Sequence, residues 1–225
     1  SGKTTLQSSL PANITIKTGK IDYVNPLKKG GKFDVGLKSS FVKADNIADF
    51  FDVAGNTSTP NYEFSNRFKY KENINAAYLN YTKDWKMFSV QAGLRIENTN
   101  IRGNQLGNAI IKDSSFKRNY TNLFPTFYIA YRFDSTQIHQ LGLSIGRRIN
   151  RPNYQDLNPF TYPLDRFTYY GGNPFLQPTF SFSFELSHTY KNKITTSLEY
   201  SIVNNLIQET NEQRGTIYYS RPGNF

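Results

Sequence analysis

Cysteine is missing altogether, which excludes disulfide frameworks, thiol nucleophiles and cysteine-held metals. Histidine is scarce: His139 and His188 are too few to build a histidine-ligated metal site. No apolar run approaches the roughly 18 residues that mark a membrane-crossing helix. A signal-peptide pattern and an initial Met are also lacking, so Ser1-Gly2 reads as an appended dipeptide and the chain as a piece of something longer. There is no G-x-S-x-G, no H-E-x-x-H, no P-loop and no glycine-rich phosphate loop leading into a helix. Glu63, Glu72, Glu97, Glu185 and Glu199 are strand charges that no spacing brings together as an acid–base pair. An enzyme reading has no support, and no cofactor is implied. Helical periodicity is nearly absent.

What is present is polar on average but rich in rings. The 225 residues are 37% hydrophobic and 16% aromatic, with 16 Tyr, 18 Phe and one Trp. Mean hydropathy is −0.59. Strands with one wet face fit that combination, as in membrane β-barrels with a polar interior and aromatic girdles. A soluble β-sandwich fits the composition too. The net charge of +10 invites a nucleic-acid partner. The cations, however, are scattered through alternating patterns, and Lys28-Lys29-Lys32 lies in a Gly-flanked turn. In Phe68-Lys69-Tyr70-Lys71 the rings and the charges fall on opposite faces, so they build no base-stacking platform. No nucleic acid is expected.

Period-2 alternation recurs along the chain. Ile14 to Val24 reads as a strand whose phase shifts near Gly19, where a bulge would absorb the shift. Phe33, Val35, Leu37 and Phe41 share one parity, and Tyr62, Phe64, Phe68, Tyr70, Ile74, Ala76 and Tyr78 share another. Phe88 to Ile96, Leu123 to Phe133, Leu141 to Ile149, Phe180 to Tyr190 and Ile194 to Ile202 continue the series. A last short strand falls near Ile217 to Tyr219.

The connections alternate short and long: about 25–31, 45–61, 83–86, 102–115, 134–137, 150–178, 191–193 and 208–215. Outer-membrane barrels show that rule, with short periplasmic turns and longer extracellular loops. Short turns make neighbouring strands antiparallel. The expected fold is all-β: an antiparallel up-and-down meander of nine or ten strands, a partial transmembrane β-barrel with long extracellular loops. The stretch Arg148–Pro178 stands apart. Pro152, Pro159, Pro163, Pro174, Pro178 and the Gly171-Gly172 pair break any ladder, yet Tyr, Phe, Asn and Arg crowd it. It reads as a large ordered loop at the barrel mouth.

An ordered succession of motifs carries a family resemblance. Asp22-Tyr23, G-G-K-F-D-V-G-L-K (Gly30–Lys38), Phe68-x-Tyr70-x-Glu72-x-Ile74-x-Ala76-Ala77-Tyr78, A-G-L-R-I-E-N-T (Ala92–Thr99), Leu123-Phe124-Pro125, R-R-I-N-R-P-N-Y-Q-D-L-N-P-F and G-N-P-F-L-Q-P follow one another. Together they resemble the barrel of TonB-dependent outer-membrane receptors, of the outer-membrane β-barrel family common in Bacteroidetes-type bacteria. The resemblance covers most of the chain. It implies an outer-membrane location, a lipid surround, a plug domain and a TonB system as partners, and energised uptake of an unidentified small nutrient. Such barrels have about 22 strands. Residues 1–225 therefore read as a single barrel segment without the plug or the remaining strands, unable to transport alone. Alone it is expected to self-associate. The alternative is a soluble or cell-surface β-sandwich whose long loops bind a glycan or a protein.

Candidate site residues follow from this. Tyr162, Arg166, Tyr169 and Tyr170 are candidates for ligand capture, since aromatic and Arg side chains anchor binding surfaces. Packing of the loop by its own tyrosines around Asn158-Pro159 and Asn173-Pro174 turns is the plainer account of the same residues. Arg67, Lys69, Arg95, Glu97, Glu185 and Glu199 are candidates to line the lumen. In a soluble protein they would form an ordinary solvated face. His139 and His188 read as rim residues.

Overall fold

The computed structural model describes residues 4–133 and 138–225. The expected turn at 134–137 lies outside the described residues. Among the described residues every regular element is a strand. The first seven are β1 (Thr4–Ser9), β2 (Ala12–Pro26), β3 (Gly31–Ala54), β4 (Thr57–Pro60), β5 (Asn66–Asp84), β6 (Phe88–Leu106) and β7 (Ser114–Arg132). Then come β8 (His139–Asn150), β9 (Thr161–Pro163), β10 (Thr168–Gly171), β11 (Thr179–Tyr190), β12 (Ile194–Asn204), β13 (Ile207–Arg214) and β14 (Ile217–Asn224). One sheet runs β1-β3-β5-β6-β7-β8-β11-β12, with β2 and β4 also paired to β3; a smaller one runs β13-β14-β10-β9. Successive long strands are antiparallel.

The short connections gather at one end of the large sheet. Gly30 closes the first in the left-handed region (φ 76°). Lys191 and Asn192 close another with φ of 50° and 52°, the type I′ geometry whose twist suits a tight hairpin. The long connections gather at the opposite end, as their spacing predicts. They are more regular than expected. Residues 45–54 continue β3, and 57–60 fold back on it as β4. Residues 207–214 are not a loop either; they pair with β14. In both places the backbone is laddered although side-chain alternation is lost, because ladder bonds are indifferent to side-chain polarity. The expected bulge at Gly19 is absent: β2 pairs with β3 without a break from Ala12↔Asn46 to Pro26↔Lys32. Ile14 and Ile16 therefore lie on the face opposite Ile21 and Tyr23.

Register sorts every side chain onto one of two faces. The outer face carries rows of apolar residues in direct cross-strand register, such as Leu37–Ala77–Ile96–Leu123 and Val35–Leu79–Leu94–Pro125. β8, β11 and β12 extend the band with Leu143, Leu186 and Leu198, which are partners in turn. Among the described residues no second sheet covers this face, as a sandwich would require: Leu37, Leu198 and Tyr200 are 60%, 73% and 65% exposed. Towards the short turns the band ends in ring pairs, Phe33–Tyr81, Phe88–Tyr131 and His139–Tyr190, with centroids 4.9–5.0 Å apart. That is the girdle of a membrane barrel. His139 and His188 meet there, on the rim, with Nδ1 and Nε2 3.1 Å apart. The inner face behind the band is polar: Asn80, Gln91, Thr126, Ser144, Ser183 and Ser201.

Towards the long loops the alternation inverts. Phe68 and Tyr70 point inward and are 1% and 3% exposed, while Arg67 and Lys71 point outward into solvent. Here the strands outrun the apolar band, so the outer face is wet. The inner face meets loop 151–178, which folds back over it. The core is the result: Ala44, Phe68, Tyr70 and Ile101 from the sheet close on Leu157 and Leu176 from the loop. Each fully buried Phe or Leu contributes roughly 2 kcal/mol.

Candidate functional site

Loop 151–178 is fixed to the inner face by side chains. Arg151 follows β8 and turns inward beside Pro152. Its guanidinium donates to Glu97 Oε2 at 2.5 Å and to Thr99 Oγ1 at 3.1 Å. Glu97 also receives Arg95 Nε at 2.7 Å, so one carboxylate, its side chain 11% exposed, bridges two cations. Burial alone would lower the Arg151 pKa; the Glu97 carboxylate more than offsets this and keeps the guanidinium charged. Arg118, on β7, donates to the carbonyls of Leu176 and Pro174. β7 and β8 pair only from Thr126↔Gly146 towards the short turns. Beyond that point the two strands part, and Arg147 Nη1 caps the Leu123 carbonyl at 2.9 Å.

Three asparagine Asx-type turns and a short hairpin shape the loop; in the first, Asn153 Oδ1 accepts from Gln155 N at 3.2 Å. Asn158 Oδ1 accepts from Phe160 N at 3.3 Å, and Asn173 Oδ1 from Phe175 N at 2.9 Å. β9 and β10 form the hairpin, and β10 lies parallel to β14. At its tip Asp165 Oδ1 accepts from the amides of Phe167 (2.7 Å) and Thr168 (2.8 Å). Those donors, Phe167 first, hold the carboxyl below the usual carboxylate range.

Between the loop and the distal ends of β2, β3 and β5 lies a cavity of about 310 Å³. Phe50 and Phe160 give it apolar walls, and Tyr162 and Tyr170 close one side. These two tyrosines are cross-strand partners with rings 5.7 Å apart, and Tyr170 donates to Asp156 Oδ1 at 3.1 Å. Burial, and then the Asp156 carboxylate, push both phenols up. Asn46 and Asn66 line the same cavity, and their side-chain oxygens have no hydrogen-bond partner among the described residues. A half-apolar pocket with a few fixed phenol and amide groups suits a small, partly polar ligand.

The structure brings together only half of the four loop candidates. Tyr162 and Tyr170 share the cavity. Tyr169 points the other way, stacked on Tyr219 at 5.5 Å and beside Phe64 at 6.3 Å. Arg166 sits at the exposed hairpin tip against Phe167. Of the six strand charges, Arg95, Glu97, Glu185 and Glu199 lie on the inner face. Arg67 and Lys69 do not; they lie on the outer face, where Arg67 pairs with Asp45 at 2.8 Å. The cause is the inversion on β5, whose ring-bearing parity turns inward against the loop. Sequence reasoning missed Asn46 and Asn66 because nothing local marks them: they line the cavity only through a loop that returns from far along the chain.

The comparisons agree with this architecture. The chain is similar in fold to the copper transporter OprC, with a TM-score of 0.70 at 12% identity over 96% of this chain and 33% of that one. The ferric yersiniabactin uptake receptor FyuA from Yersinia pestis aligns with a TM-score of 0.60 at 12% identity, over 92% of this chain and 31% of that one. A double mutant of the Serratia marcescens hemophore receptor HasR, in complex with its hemophore HasA and heme, aligns at 0.56 and 14%, over 99% and 47%. The chain thus spans between about a third and a half of the length of these structures. No curated protein matches it in sequence. A family model described as the outer membrane protein beta-barrel family matches residues 1–225. With its apolar outer band, polar inner face and inward-folded loop, the chain belongs to the outer membrane protein beta-barrel family.

Proposed function

We propose that the chain is part of the barrel of a TonB-dependent outer-membrane uptake receptor and contributes its loop 151–178 to capture of a small nutrient. The observation that carries this reading is the cavity under the loop, at the end of the sheet remote from the short turns and open to the inner face. A ligand held there sits at the outer mouth of a lumen, where a receptor meets its cargo. Tyr162 and Tyr170 offer ring faces and phenols, and Asn46 and Asn66 offer amides. Arg95, Glu97, Glu185 and Glu199, on the inner face behind them, line the route onward and contact a plug domain. Residues 1–225 act as one barrel segment, and transport requires the rest of the barrel, the plug and TonB. The structures it resembles are described as a ferric yersiniabactin uptake receptor, a copper transporter and a hemophore receptor in complex with its hemophore and heme.

The test is uptake by cells carrying the intact protein under iron, copper or heme limitation, compared with Tyr170→Ala and Asn66→Ala variants. Uptake of one such nutrient is expected to depend on the protein and to fall about tenfold in either variant, in line with the loss of a ligand contact. Uptake of all three unchanged by removal of the protein, or unchanged by both variants, would overturn the reading.

A further inference from the structure

A second surface lies on the outer face, just beyond the apolar band. Lys43, Lys71, Arg102 and Lys117 stand directly opposite one another across β3, β5, β6 and β7. All four are exposed, and none makes an ion pair among the described residues. The nearest carboxylate on that face, Asp45, lies one row further out and is taken by Arg67. Like charges set opposite each other across strands repel, and Asp45 offsets the row only at its Lys43 end, so the row stands as a ribbon of net positive charge.

Its setting is graded. Two rows of amides and hydroxyls, Phe41–Asn73–Asn100–Asn119 and Ser39–Asn75–Asn98–Thr121, separate it from the apolar row Leu37–Ala77–Ile96–Leu123. The amides bond to one another: Asn75 to Asn73 and Asn100 to Asn98 at 2.7 Å, and Asn98 to Asn119 at 3.0 Å. On β3 the gap narrows, because Phe41 is apolar and 54% exposed. Lys17 is its cross-strand partner on β2. There a concavity of about 540 Å³ holds Phe41 among Lys17, Lys43, Lys71, Asn73 and Arg102. Glu72 also borders it, with its carboxylate turned to the inner face, where it accepts from the Tyr70 hydroxyl at 2.8 Å. Phe33 is in register with Phe127 through Tyr81 and Ala92, and the apolar band runs on below Phe127 to Tyr131 on β7 but ends at Phe33 on β3. The row therefore climbs obliquely away from the membrane, as register rows do on tilted barrel strands.

From this grading we infer that Lys17, Lys43, Lys71 and Arg102 bind the phosphate groups of a phosphorylated glycolipid headgroup in the surrounding outer leaflet, with Phe41 against its acyl root. Cations at a membrane surface attract anionic headgroups, and the oblique climb suits a headgroup tall enough to carry phosphates at more than one height.

The test uses the intact protein, purified from its outer membrane and reconstituted in vesicles of neutral phosphatidylcholine, alone or with bisphosphorylated lipid A. Lipid retained by the protein is counted by native mass spectrometry. Lipid A is expected to be retained over phosphatidylcholine, with roughly a fivefold loss of retention for each cation removed. In the triple variant K43Q, K71Q, R102Q that makes a loss on the order of a hundredfold. Lys28→Gln with Lys29→Gln, in the turn at the other end of the sheet, should leave retention unchanged. Equal retention of both lipids by the unmodified protein overturns the inference, and that arm needs no variant to fold. Displacement of lipid A by inorganic phosphate at equal concentration also overturns it, since the site would then be a free-anion site. A triple variant that folds and retains lipid A as before overturns it as well.

Discussion

At the scale of single residues, Glu97 joins the loop to the sheet through Arg151. Its two oxygens are shared between Arg95 and Arg151. Arg151→Ala leaves Glu97 one cation and deprives the loop of one of its ties, so unfolding in detergent should show a loss of about 2 kcal/mol, short of what an isolated buried charge costs. Protease nicking confined to 151–178 is expected in the same variant. Gly103 matters for a different reason. It lies on the inner face opposite Phe116, and a Cβ there would come within 2.3 Å of the ring. Phe116 in turn stacks on Phe68 in the core. Gly103→Val displaces the ring and should cost about 2 kcal/mol by overpacking, read from the same unfolding curve. Asp165 gives a pH signature. Its folded form prefers the charged carboxylate more than the unfolded chain does. The hairpin-tip turn is therefore fully held above about pH 4 and released as pH falls through the lower folded value. Amide exchange at Phe167 and Thr168 should accelerate over that window, and Asp165→Asn should abolish the pH dependence.

At the scale of elements, alternation means opposite things at the two ends of one strand. Within the band the apolar parity faces out: a cysteine at Val90 should be quenched by lipid-borne quenchers and one at Gln91 by aqueous ones. Beyond the band the sense reverses: a cysteine at Lys71 should be open to water from outside, and one at Tyr70 closed to both. Lipid quenching at Tyr70 would refute the inward packing of β5. This is where the sequence was most and least legible. Phe88 to Ile96 reads directly as a half-lipid strand, because one environment acts along its whole length. The ring-bearing parity of β5, Phe68 and Tyr70 with Ala76 and Tyr78, faces inward along its whole length, and nothing local reveals that the partners of Phe68 and Tyr70 are Leu157 and Leu176. The same blindness put Arg67 and Lys69 on the wrong face and hid Asn46 and Asn66. Residues 45–54 and 207–214 read as loops because their strands lie beyond the band, where neither face is required to be apolar.

At the scale of the whole molecule, the sheet presents an apolar outer face and open edges at β1, β2, β4 and β12, each paired on one side only among the described residues. Open edges and large apolar patches drive association. The 225-residue chain in plain buffer is expected to scatter light as an assembly and to be dispersed by mild detergent; a stable monomer without detergent would argue against the exposed band. The wall and its cap are also joined by different means. No backbone–backbone hydrogen bond runs from loop 151–178 to β3, β5, β6 or β7 among the described residues; the ties are Arg151, Arg118, Asn66 and the small core. Strand ladders break cooperatively, whereas side-chain ties let go one at a time. The cap can thus be raised with the wall intact, as a latch swings from a door frame that keeps its shape. Under the proposed function, cargo entry would need no unzipping of the sheet, and substitutions can alter the wall and the side-chain ties of the cap separately.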